Sequence, residues 1–183
     1  MPAASSFDPT RAVRFDLPRG SVRAGAEGDR VLLVPTAALD EIVLSAPPEA
    51  VEALGRALGS AIGRRAAARM ANPQTAGIEE FVTQLAGEAA VAGIGVLGVE
   101  RWGRALVVVV QDSPLVGTLL GPLVSSSIEA ASGRRVWTTL LSRDEHAARI
   151  LVASERAVGR VREWIASGLA WSESLAKLHG GGS

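Results

Sequence analysis

Three stretches of this 183-residue chain hold residue types that could do chemistry. The first is Gly93-Ile94-Gly95-Val96-Leu97-Gly98, a G-x-G-x-x-G pattern of the kind that cradles a dinucleotide pyrophosphate. Such a loop must leave a strand and enter a helix, whose free N–H groups then meet the phosphate. Here a helical apolar pattern precedes Gly93 and a strand pattern follows Gly98, so the order is reversed. The glycines are therefore read as structural. Gly93 ends a helix in the left-handed conformation, and Gly95 and Gly98 permit the turn and a close approach to the next strand. The second stretch, Asp144-Glu145-His146, has metal-ligating types, but adjacent residues on a turn seldom aim at one ion, so a solvated turn is expected. The third, Ser125 to Ser127, has no nearby histidine or lysine to activate a hydroxyl and reads as a helix face. His179 lies in a glycine-ended tail and receives no role. No catalytic, cofactor-binding or metal-binding residue is assigned, no cofactor is expected, and the chain is read as a non-enzyme.

Residues suited to contact are easier to name. Gly55, Gly59 and Gly63 are four apart and line one face of a long helix. Each costs about 1 kcal/mol against alanine there, so a neighbour must pack tightly on that face. The neighbour is another element of the same domain, or else a partner helix, a second subunit or a ligand. Trp102, at a hairpin turn, and Trp171, just beyond the last helix, are the tryptophans placed to reach an interface. Trp137 and Trp164 are expected in the core. Gly55, Gly59, Gly63, Trp102 and Trp171 are thus the interface candidates. Arg64, Arg65 and Arg69 make one basic cluster, and Arg156, Arg160 and Arg162 another. Both are read as solvated helix charges or as a patch for an acidic partner.

The elements that must position these residues follow from periodicity. A short extended arm or pair of edge strands occupies residues 1–29. The strand "DRVLLVPT" and the helix "ALDEIVL" lead into the long glycine-lined helix, which Ser45 or a neighbour caps. A second helix runs from about Thr75 to Val91. "VLGVERWGRALVVVVQD" reads as a hairpin turning at Arg101 to Arg104, and its second strand is apolar on both faces, hence central. A helix follows, with Ser113 as N-cap and Gly133 at its end, then a second strand pair and a helix from near Ser154. This order predicts an α+β domain over residues 30–170: an antiparallel sheet with helices packed on one face or at its ends. Residues 171–183, ending in "HGGGS", are expected to be a flexible tail.

Bulk composition sets the outer limits. Apolar residues make up 48% of the chain, enough for a proper core. Nineteen basic residues balance nineteen acidic ones, which argues against broad electrostatic binding to nucleic acid. There is no cysteine, hence no disulfide or thiolate metal site. The longest uncharged run, Ser113 to Ile128, is too short to span a bilayer and contains Pro114 and Pro122. A cytoplasmic location is expected.

Taken together, "LGRALGSAIGRR", "GIGVLGVERWGRALVVVVQDSP" and "SGRRVWTTLLSRDEHAARILVAS" resemble the 4-vinyl reductase domain family, in the fold group of the TRAPP vesicle-tethering subunits. The resemblance covers about Arg30 to Ser167. It implies an α/β sandwich-like domain, often dimeric, that binds small apolar molecules or other proteins. Family members often carry cysteines around the last hairpin turn, and some bind zinc. Leu140 to Ala148 contains none, so no metal-linked role and no catalytic residue carries over. The function expected is a non-catalytic interaction module: a homodimeric or complex-forming regulatory or scaffold domain whose partner is itself or another protein. The alternative is a sensor domain for a small apolar ligand held between helices and sheet, where Leu106 to Val110 faces helices rich in alanine and glycine.

Overall fold

A computed structural model describes residues 6–25, 28–103 and 105–180. In chain order the elements are β1 (Val13–Asp16), β2 (Ser21–Ala24), β3 (Asp29–Val31), α1 (Thr36–Ser45), α2 (Pro48–Ala67), α3 (Ile78–Val91), β4 (Val96–Trp102), β5 (Ala105–Gln111), α4 (Gly117–Ser132), β6 (Trp137–Arg143), β7 (Ala147–Ala153), α5 (Glu155–Ala166) and α6 (Trp171–Gly180). They form an α+β fold with two antiparallel sheets. β1-β2-β3 is a small sheet of its own, and the main sheet has the order β4-β5-β7-β6.

The five residues Ala105, Val107, Val108, Val109 and Val110 are all buried, and they explain the layering. Side chains alternate across a strand. Val108 and Val110, with Ile150 and Val152 of β7, share a core with Leu119, Leu120 and Leu123 of α4 and with residues of α2 and α3. Val107 and Val109, with Leu151, pack on Val158 and Val161 of α5 and Leu175 of α6. Helices therefore cover both faces of the sheet, rather than one face or its ends. A strand apolar on both sides demands two covers.

Several local expectations need correction. The segment expected to be a flexible tail is helical over Trp171–Gly180, because Leu175 is fully buried in the second core. Ser45 does not cap α2. It closes α1, its hydroxyl donating to the carbonyls of Glu41 at 2.9 Å and Ile42 at 3.0 Å, and α2 starts after Pro47 with no side-chain cap. Ser113 does not cap α4, which begins at Gly117 behind Val116. α3 begins at Ile78, three residues later than expected. Gly133 does end α4 in the left-handed conformation, with φ +71°, and α5 does start next to Ser154, whose hydroxyl caps it by accepting from the Ala157 N–H at 3.4 Å. In the hairpin turn, Gly103 has φ +60°, and Arg104 lies outside the described residues.

Candidate functional site

The glycine face of α2 is occupied from within the chain. A Cβ on Gly55 would lie 2.9 Å from the Leu119 carbonyl oxygen and 3.0 Å from Pro122. On Gly59 and Gly63 it would run into the carbonyls of Leu123 and Ser127. Gly55-Gly59-Gly63 thus mesh with Leu119-Leu123-Ser127, two rows of period four pressed together. The Ser126 hydroxyl crosses the seam to donate to the Arg56 carbonyl at 2.7 Å. These three glycines were interface candidates, but α4 already fills the space a partner or ligand would need.

Trp102 and Trp171 meet each other. Their rings are 5.1 Å apart, edge to face, which docks α6 against the end of the β4–β5 hairpin. The Trp102 indole N–H donates to Glu100 at 3.0 Å, and Arg149 lies 5.7 Å over the Trp171 ring. Trp102 keeps 38% of its surface exposed. Trp137 and Trp164 pack on the second core, as expected.

The basic cluster at the end of α2 has an internal partner that sequence reading missed. The fully buried carboxylate of Glu88, on α3, accepts from Arg65 Nε at 2.8 Å and from Arg69 Nε at 2.6 Å. Arg69 also lies 4.4 Å over the ring of Phe7, which seats on Gly87, while the Arg65 stem passes beneath Gly25. The triad thus pins the N-terminal segment and small sheet to the helices. The period of α3 gave the signal, since Glu88 falls on its buried face beside Leu85 and Ala89.

Gly93 has φ +73° at the end of α3, and β4 follows, so the G-x-G-x-x-G stretch joins helix to strand. Gly95, at φ +121°, lies so close to the Gln111 carbonyl that no Cβ fits. At the β6–β7 turn, Asp144 accepts from the backbone N–H groups of His146 at 2.9 Å and Ala147 at 2.8 Å. Those two bonds, His146 first, hold its pKa below the usual carboxylate range. Among the described residues no three of His, Asp and Glu gather as a metal site.

The open space lies elsewhere. β6 is one of the two edge strands of the main sheet, and beside it opens a cleft of about 690 Å³. Its walls are the end of α1 and start of α2 (Val43, Ala46, Pro48, Val51), one side of α4 (Gly117, Thr118, Gly121, Pro122, Ser125), and β6 (Trp137 to Leu140). Arg162 reaches it from α5, its Nη2 donating to the Thr138 carbonyl at 3.4 Å. The Thr138 hydroxyl donates to the Gly121 carbonyl at 2.9 Å and ties β6 to α4. Gly117, Gly121 and Ser125 keep the α4 wall low, since they fall on one helix face at a spacing of four. The alternative expected room against Leu106 to Val110. None of those residues lines the cleft, and four of the five are buried in packed layers.

A solved structure shares this architecture. The chain is similar to the crystal structure of the phenol-responsive sensory domain of the transcription activator PoxR with phenol, with a TM-score of 0.60 and 15% identity over 92% of each chain. The likeness is one of fold. No family model matches the chain, and no curated protein matches it.

Proposed function

We propose that this chain is a small-molecule sensor domain of the 4-vinyl reductase type, acting in the cytoplasm, with its ligand in the cleft beside β6. The cleft carries the reading: about 690 Å³, open to one side, with walls of mixed apolar and polar residues. Those are the size and chemistry of a ligand site. The fold shared with a phenol-responsive domain supports it, since a ring-bearing molecule suits walls built of Val43, Val51, Pro122 and Leu140. The sensor role, the alternative from sequence, therefore moves ahead of the interaction module. Native mass spectrometry of the purified chain tests it. The expected result is a bound small molecule that Gly121→Phe displaces, and a ligand retained by Gly121→Phe would refute the location.

A second reading, self-association, is favoured by a different surface from the one expected. Leu17, Leu32 and Leu44 are 82%, 84% and 77% exposed, and Leu33 and Ile42 are exposed beside them in sequence. In α1 only Val43 is buried. So many large apolar side chains in water on one N-terminal stretch mark an interaction surface. A second copy of the chain is the partner we propose for it.

A further inference from the structure

We infer that the ligand of the cleft is an amphipathic organic anion, an acid group on an apolar body of one or two rings, with Arg162 receiving its charge. This rests on the cleft being the ligand site and adds the chemical class. Among the described residues Arg162 has no acidic partner within ion-pair distance, whereas Arg65 and Arg69 are committed to Glu88, and Arg149 to Glu100 and Asp144. Its one hydrogen bond, to the Thr138 carbonyl, is long at 3.4 Å. A guanidinium carries five donors in a planar fork that matches an oxyanion, so most of its capacity is unspent.

The surroundings favour negative charge at that point. Glu52 also lines the cleft, but it is paired with Arg56 one turn along α2, which leaves Arg162 as the uncompensated charge of the lining. Thr118 also lines the cleft and is exposed, and its hydroxyl makes no hydrogen bond among the described residues, so it is available as a further donor. Val51, Pro122 and Leu140 add apolar surface to the same lining. An apolar molecule without a charge would use those walls and leave the guanidinium idle. An acid on the same body uses both.

Two fluorescent probes that differ by one group give the test. 8-Anilinonaphthalene-1-sulfonate and N-phenyl-1-naphthylamine share their rings, and only the first carries an anion. The wild-type chain is expected to bind the sulfonate about tenfold more tightly, the scale of a partly exposed charge-assisted pair. Arg162→Gln should remove that preference and leave the neutral probe within about twofold; 0.5 M NaCl should weaken the sulfonate alone. Gly121→Phe should weaken both probes, since a Cβ there meets only Thr138 Oγ1, at 3.6 Å, and the ring then fills the cleft. Thr118→Trp, on the exposed rim, is a second filler, and circular dichroism checks that each variant folds. If Arg162→Gln leaves the preference intact while the fillers abolish binding, the anion class is wrong and the cleft reading stands. If the fillers leave both probes bound, or neither probe binds the wild type, the cleft reading falls and this inference with it.

Discussion

Gly59 and Gly159 both lie in helix interiors, yet they answer an added methyl in opposite ways. At Gly159 a Cβ meets nothing within 4 Å, so Gly159→Ala should stabilise the protein by about 1 kcal/mol through helix propensity alone. At Gly59 the Cβ collides with the Leu123 backbone, and Gly59→Ala should destabilise by about 3 kcal/mol as α2 and α4 are forced apart. Urea denaturation of the two variants reads the difference. Glu88 is the other residue on which much depends. Glu88→Ala leaves Arg65 and Arg69 largely buried without a counter-charge and should cost about 3 kcal/mol by the same measurement. Asp144 makes a pH prediction. Its folded pKa is held down by the His146 and Ala147 N–H groups. Its contribution to stability is therefore present above the ordinary aspartate range and disappears as pH falls through the lowered folded value. NMR titration should find the Asp144 carboxyl below that range.

At the scale of the element, α6 is the informative case. Read from its glycine-ended sequence it is a tail, yet Leu175 is fully buried among Val158, Val161 and Leu151, and Trp171 closes on Trp102. Leu175→Ala should cost about 3 kcal/mol, the usual penalty for emptying a buried leucine site, in chemical denaturation. The misreading has a physical cause. Ten residues do not hold a helix in water by propensity, so α6 exists only because the second face of the sheet needs a cover. The strands were legible for the converse reason. The apolar residues of β5 fix its central place, and β7 beside it carries Ile150, Leu151 and Val152 into the same two layers. Helix starts were less legible. Ser45 and Ser113 are good capping types, but α2 begins at Pro48 behind Pro47 and α4 at Gly117 behind Val116, neither with a side-chain cap.

Across the whole molecule, the described residues contain no helix long and apolar enough to cross a membrane. In the proposed self-association, a second copy covers the exposed leucines of the N-terminal region. Sedimentation equilibrium should give a dimer for the wild type and a monomer for Leu32→Ser combined with Leu44→Lys, with unchanged circular dichroism. A wild-type monomer at tens of micromolar would refute that reading.

The amino-acid sequence by itself determined the α+β class, the central strand, the antiparallel hairpins and the need for something to nestle on the glycine row. Each of these follows from side-chain period and backbone sterics, which act over a few residues. Only the tertiary structure decided that α4, rather than a partner, fills that row, that Glu88 neutralises Arg65 and Arg69, and that a cleft opens where α1, α2, α4, α5 and β6 converge. Those features join residues many positions apart, Gly59 with Leu123 and Arg162 with Thr138. No local rule specifies which of several surfaces two packed elements share, so space and charge between them appear only once the chain has closed.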